Sequence, residues 1–193
     1  LRWEGSLPTP NEPIRILLFG GTLTVTSPPL PLEQQLSFLK EIDALKSVFR
    51  ASPLINQSRK ENSAEHSWHL AMYALILAEH SNENIDVDRV IRMLLIHDIV
   101  EIDAGDTPIH GGAMNASDQD AKEKLAADRI FGMLPPGQAA NLKILWLEFE
   151  AAETNDAKFA KSLDRLQPLV HNIETDGGTW KDAGVTFEQV LDR

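Results

Sequence analysis

The sequence predicts a mainly α-helical bundle carried behind an extended N-terminal arm. Three observations point to that class. From Leu32 onward apolar residues recur at steps of three and four, the period of one helix face. Cap-forming residues stand where these stripes begin, and glycine or proline clusters stand where they end. Short strand-like runs are confined to the N-terminal stretch, around a pair of glycines. With 193 residues and 42% hydrophobic content, the chain can bury the core of one ordinary domain.

In chain order, residues 14–19, Gly20-Gly21 and Thr22 to Thr26 read as two short strands joined by a two-residue glycine turn, a surface hairpin without a catalytic role. Pro28-Pro29-Leu30-Pro31 reads as a stiff linker, with Pro31 placed to open a helix. Residues 1–31 are thus the arm and linker, and residues 32–193 the helical domain. Leu36, Leu39, Ile42, Leu45 and Phe49 form the stripe of a first helix running to about Arg50. Asn62 followed by Glu65 is a capping-box pattern for a second helix, with His66, His69, Leu70, Tyr73 and Leu77 on its stripe. Asp86 caps a third, whose stripe is Val87, Val90, Leu94, His97, Asp98 and Glu101. After a loop marked by Gly105 and the stretch Pro108 to Gly112, Ser117 caps a fourth helix with Leu125, Arg129, Ile130 and Leu134, stopped by Pro135-Pro136-Gly137. A fifth helix carries Leu142, Leu145, Trp146 and Phe149. A sixth opens at Asp156 with Phe159, Leu163, Leu166, Val170 and Ile173, ends at Gly177-Gly178, and leaves a closing helix capped by Thr186 and Gln189.

The formal charge of -11 excludes a general nucleic-acid binder or a protein resting on anionic membrane, since both need a basic face. With no cysteine, thiol nucleophiles, disulfides and zinc-thiolate sites are excluded, and any metal must take nitrogen and oxygen ligands. Apolar runs such as Ile14 to Gly21 and Met93 to Ile96 are too short to span a bilayer. A soluble, cytoplasmic protein is expected.

Ionisable residues intrude on two apolar stripes at positions that face inward: His66 on one helix, and His97, Asp98 and Glu101 on another. Burying them unpaired would cost several kcal/mol, so they satisfy one another or something binds them. A cation in the groove between helices satisfies all of them, and Glu101, one turn beyond His97, is left to manage a proton from water or substrate. For either histidine alone, a core imidazole held by a carbonyl is the plain alternative. Asp164 lies on a remote helix, and Pro168 four residues later cannot donate back to its carbonyl, which allows a local bend.

The strings Ala64-Glu65-His66-Ser67, His97-Asp98-Ile99-Val100-Glu101, Gly105-Asp106-Thr107 and Ser162-Leu163-Asp164-Arg165-Leu166, in that order between Leu36 and Ile173, resemble the HD-domain hydrolases. More narrowly they resemble their 5′-deoxynucleotidase branch. The resemblance implies an HD-type helical bundle in which His66, His97, Asp98 and Asp164 bind one divalent cation (Mn²⁺, Co²⁺, Mg²⁺, Ni²⁺ or Zn²⁺). It further implies that Glu101, beside Asp98, is the catalytic acid/base, that Asp106 and Thr107 contact a nucleotide sugar, that Arg50 reaches the phosphate, and that the protein is a homodimer. The chain departs from the family's Arg-Trp pair at Arg50-Ala51, with one extra residue before His66, and offers Ile109 where the pattern has a threonine. Both departures fall on the substrate side. Arg59 and Lys60 are nearby substitutes for Arg50, which would otherwise cap a helix end.

Among the other histidines, His69 reads as a core residue ahead of a fifth metal ligand or a second-layer partner, and His80, His110 and His171 as surface or loop residues. Two-metal phosphodiesterases of this type need two further histidines between the His-Asp pair and the last aspartate; here His110 alone falls there, so a single metal is expected. Glu148, Glu150, Glu153 and Asp156 read as a solvated acidic run. The expected reaction is hydrolysis of a small phosphate monoester, with a deoxynucleoside 5′-monophosphate suggested by Gly105-Asp106-Thr107. The rivals are hydrolysis of another phosphorylated metabolite and a metal-binding helical module without turnover. Alarmone hydrolases show an acidic pair where this chain has Glu101-Ile102, and triphosphohydrolases a second histidine in that motif.

Overall fold

The computed structural model describes residues 15–18, 21–24, 30–106 and 116–191. Strands β1 (Arg15–Leu18) and β2 (Gly21–Thr24) pair antiparallel, with Leu18 opposite Gly21 and Arg15 opposite Thr24. The hairpin expected from the sequence is present, but Gly21 belongs to the second strand rather than to the turn.

Helix α1 (Leu30–Glu41) is followed by a 3-10 turn, Ile42–Ser47, and then by strand β3 (Phe49–Pro53). The first helix therefore stops well short of Arg50. Phe38 and Leu45 are buried with Ile42 packed against them, while Leu39 and Phe49 point outward at 58% exposure each. The buried face follows 38, 42 and 45, so the stripe read from the sequence holds at Ile42 and Leu45 and misses at Leu39 and Phe49. β3 pairs antiparallel with β4 (Lys60–Asn62), Phe49 opposite Asn62, with a register shift before Pro53 meets Lys60. This small hairpin, unforeseen in the sequence, places Arg50 and Glu61 at the mouth of the next helix.

That helix, α2 (Ser63–Leu77), begins with the expected capping box. The Asn62 side chain accepts from Glu65 N at 3.0 Å, and Glu65 Oε1 accepts from Asn62 N at 2.8 Å. α3 (Val87–Ile96) starts at Asp86, whose carboxylate accepts from Arg89 N. It gives way to a 3-10 turn, His97–Val100, and the short α4 (Glu101–Ala104). α5 (Ala116–Phe131) begins one residue before Ser117, so Ser117 lies in its first turn rather than at its cap. α6 (Pro136–Ala151) opens at Pro136, whose missing N–H costs nothing at a first helical position. The proline pair thus starts a helix instead of merely ending one. α7 (Asn155–Glu174) is capped by Thr154, whose hydroxyl accepts from Ala157 N, and runs through Pro168 as one helix. α8 (Gly178–Ala183) and α9 (Phe187–Leu191) close the chain, the latter with Thr186 and Gln189 exchanging the expected cap bonds.

α3 is the central helix: α2, α6 and α7 pack around it, and Val90, Met93 and Leu94 are fully buried. Phe131, Trp146, Phe149, Ile130 and Leu70 complete the core, each such side chain contributing about 1.5–3 kcal/mol by leaving water. Along α7 the buried face is Ala157, Ala160, Leu163, Gln167 and His171, whereas Leu166 and Ile173 are exposed. In its second half, polar residues have displaced the apolar stripe from the inside, and the expectation that His171 sits on the surface is corrected. No helix among the described residues is long and apolar enough to cross a membrane.

Candidate active site

Three helical segments bring the predicted ligands together. The capping box sets the register of α2 so that His66, one turn in, points into the core with no exposed surface. The tightening of α3 into its 3-10 turn carries His97 and Asp98 inward, both below a tenth exposed. His97 Nδ1 lies 2.9 Å from the Leu94 carbonyl, to which it donates, and the ring packs edge-on against Phe149 at 4.9 Å. That contact assigns the lone pair to Nε2 and aims it at the groove. From α7, Asp164 Oδ1 reaches His66 Nε2 at 3.1 Å and His97 Nε2 at 3.6 Å. Asp98 Oδ1 stands 2.9 Å from His97 Nε2.

These residues fit a divalent cation. One ligand atom from each of His66, His97 and Asp164 lies within 4.8 Å of the others. Donors bound at about 2.0–2.2 Å around one ion sit roughly 3.0–3.5 Å apart, close to the separations seen here. His97 Nε2 is buried and forms no aligned hydrogen bond, despite two carboxylates beside it, which leaves it available to an ion. Burial alone would push His97 down, but Asp98 and Asp164 outweigh it and raise the imidazole to about 10. Burial likewise opposes Asp164, yet contacts with His66 and His97 hold its carboxyl well below the usual range. Without a metal, protons on the imidazoles supply the positive charge the aspartates demand.

Arg50, placed by β3 rather than by a helix end, reaches the same groove. Its Nη1 donates to Asp98 Oδ2 at 3.0 Å and lies 4.0 Å from Glu101 Oε1 and from Asp106 Oδ1, while Nε is 3.8 Å from Glu61 Oε2. Arg59 is spent on a two-pronged pair with Glu65 at the start of α2, so it does not substitute for Arg50. Glu101 opens α4, and its Oε2 accepts from Ser63 Oγ at 2.6 Å. Burial first, and the Asp98 charge second, push this carboxyl up to about 8, against the opposing pull of Arg50. Gly105 ends α4 with φ of +75°, a conformation that favours glycine, and turns the chain toward Asp106, whose carboxyl is also raised, by burial foremost. Thr107, Ile109 and His110 lie outside the described residues.

Sequence reasoning missed two members of this neighbourhood. Ser63 sits in the first turn of α2 beneath Glu101, and Glu61 is 1% exposed with Oε2 facing His66 Nδ1 at 3.3 Å. Charged and polar residues between a loop and a helix cap carry no periodic signal, so only the β3–β4 pairing reveals that they point inward. The acidic run is also less solvated than expected, since Glu148 accepts from Arg89 and from Thr154, and Asp156 accepts from Asp86 N at 2.9 Å.

The HD domain family model matches residues 42–193. The 5′-deoxynucleotidase HDDC2 of Xenopus laevis is 30% identical over 141 residues, covering 72% of this chain and 68% of that protein. The 5′-deoxynucleotidase YfbR of Shigella flexneri is 32% identical over 109 residues, covering 53% of this chain and 54% of that protein. A crystal structure of a predicted metal-dependent phosphohydrolase from Magnetospirillum magnetotacticum superposes with a TM-score of 0.81 at 54% identity, covering 88% of this chain and 84% of that one. A conserved hypothetical protein from Pyrococcus furiosus, 21% identical with a TM-score of 0.57 over 81% of this chain and 94% of its own, shares the fold. With its ordered motifs, its convergent histidines and aspartates, and this match across most of its length, the chain belongs to the HD-domain family of metal-dependent phosphohydrolases.

Proposed function

We propose that this enzyme hydrolyses a (deoxy)nucleoside 5′-monophosphate, with His66, His97, Asp98 and Asp164 holding one divalent cation. The observation that carries the reading is the convergence of that ligand set with a partly buried arginine and a proton-holding carboxyl in a single groove. A cation bound there supplies Lewis-acid polarisation of the phosphoryl oxygens and a water ionised near neutral pH. Two imidazoles and two carboxylates accept Mn²⁺, Co²⁺, Ni²⁺, Zn²⁺ or Mg²⁺, and elemental analysis identifies the resident ion. Arg50 would offer its guanidinium to the phosphate, exchanging part of its contact with Asp98 for a charge-assisted bond to the substrate. Glu101 has one oxygen held by Ser63 and the other, Oε1, turned toward Arg50, and it is that oxygen which takes or gives a proton. Asp106 follows the glycine turn beside Arg50, where a carboxylate can accept from a sugar hydroxyl, with Thr107 next in sequence. The named activity of the curated relatives supports the nucleotide as substrate. A homodimer belongs to the same proposal and rests on the family resemblance, and a cytoplasmic location belongs to it on the cysteine-free composition.

Phosphate release from a panel of nucleoside monophosphates and simpler monoesters, with Mn²⁺, Co²⁺ or Mg²⁺ added, tests this reading. Turnover of the 5′-monophosphates that Asp98→Ala abolishes supports it, with Asp106→Ala raising KM for the nucleotide and not for a sugar-free ester. Metal binding without turnover on any ester would make the chain a non-catalytic module and overturn the proposal.

A further inference from the structure

A second set of ligating side chains lies one helical turn along the α2–α7 groove from the first. His69 follows His66 by three residues, and Gln167 follows Asp164 by three, so each pair shares a face of its helix. Glu61 from β4 and His171, four residues beyond Gln167, complete the group. One ligand atom from each of Glu61, His69 and His171 lies within 4.8 Å of the others. The Gln167 amide nitrogen sits among them, 2.7 Å from Glu61 Oε1, 3.0 Å from His171 Nε2 and 3.5 Å from His69 Nδ1.

That arrangement is short of protons. An amide NH₂ has two hydrogens and here faces the Glu61 carboxylate, the His171 Nε2 lone pair and His69 Nδ1. On its other side the Gln167 carbonyl oxygen, fully buried, has no hydrogen-bond partner, and Glu61 Oε2 has none that is aligned. A buried polar atom left in that state costs about 1–3 kcal/mol. A cation seated between Glu61 Oε1, His69 and His171 supplies the positive charge this buried carboxylate lacks, and Gln167, turned over about its last bond, presents its otherwise unpartnered oxygen to it. His171 is already oriented for this, since its Nδ1 lies 3.1 Å from the Pro53 carbonyl and donates to it, leaving the Nε2 lone pair aimed at the cluster. His97 and Leu94 use the same device at the first site.

We propose that Glu61, His69, Gln167 and His171 form a second divalent-cation site, distinct from the catalytic one and joined to it through Glu61. Two imidazole nitrogens with one carboxylate and one amide oxygen select a borderline first-row ion such as Zn²⁺ over Mg²⁺ or Ca²⁺. His69, half-buried, gives the ion its way in from solvent. Because Glu61 offers Oε1 to this site and Oε2 to His66 Nδ1, filling it would fix the imidazole that serves the first. The expectation of a single metal came from histidines absent between the His-Asp pair and Asp164; the second cluster uses residues outside that interval.

The site is independent of the substrate reading, and its test is a stoichiometry. Metal-free protein titrated with Zn²⁺, with bound metal counted by elemental analysis, should take two equivalents per chain. His97→Ala and His69→Ala should each keep one, and the double variant none. Gln167→Met, of similar length without the amide, should weaken the second equivalent by about tenfold or more while circular dichroism stays that of wild type. Co²⁺ absorption adds a check: the spectral component lost in His69→Ala should survive in His97→Ala. A wild-type stoichiometry of one that is unchanged in His69→Ala overturns the proposal, as does a second equivalent indifferent to both His69→Ala and Gln167→Met.

Discussion

Replacing Glu101 by glutamine should separate catalysis from stability. The carboxyl is 12% exposed, sits beside Asp98 and Arg50, and is raised from 4.5 to about 8 by burial and the Asp98 charge. A carboxyl whose folded value lies above its unfolded value stabilises the fold fully below pH 4.5 and loses that contribution as pH rises through 8. Each pH unit in that window removes roughly 1.4 kcal/mol, up to about 5 in all, and on the order of 3 once the site relaxes and admits water. Glutamine never ionises and keeps an oxygen to accept from Ser63 Oγ. Metal-free Glu101→Gln should therefore melt with wild type at pH 5 and roughly 6–12 °C above it at pH 9, at about 2–4 °C per kcal/mol for a chain of this size. In the metal-loaded enzyme the same variant should lower kcat by about 10²–10⁴. Calorimetric melts of both proteins from pH 5 to 9, with phosphate-release kinetics beside them, measure both effects. A melting difference independent of pH would refute the buried, raised carboxyl, and an unchanged kcat would remove Glu101 from the reaction.

Arg50→Lys keeps the charge but loses the planar fork, and removing a charge-assisted contact worth about 1.5–3 kcal/mol should lower kcat/KM for a monophosphate by roughly 10–100-fold; unaltered steady-state kinetics would place the guanidinium away from the phosphate. Metal uptake should release protons, because His97 stands at about 10 and must lose its proton to ligate. The affinity for Zn²⁺ should then rise with pH across the neutral range. Titration calorimetry in two buffers of different ionisation enthalpy reads the proton count, and a count of zero would contradict a charged His97 in the metal-free protein.

The helices and the heart of the site were legible because their signals are local. Asn62 with Glu65 and Asp86 before Val87 are cap chemistry, complete within four residues. His66, His97 and Asp98 stand out because ionisable groups on an apolar stripe must face something that satisfies them, and Asp164 completes the motif order. Other features depended on neighbours distant in sequence. Arg50 looked like a helix end, yet β4 pairs with β3 and draws it into the groove. Leu166 and Ile173 looked like core, yet Gln167 and His171 lie inside because Glu61 and His69 give them partners there.

By itself, then, the sequence determined the helical class and the absence of thiol chemistry, and it marked the candidate metal ligands, since period, composition and buried charge act within single segments. The tertiary structure decided what surrounds those ligands: the strand that delivers Arg50, the burial that raises Glu101, and the Glu61–His69–Gln167–His171 cluster. Burial and pairing arise only when segments far apart in the chain exclude water from one another, and no residue carries that information alone.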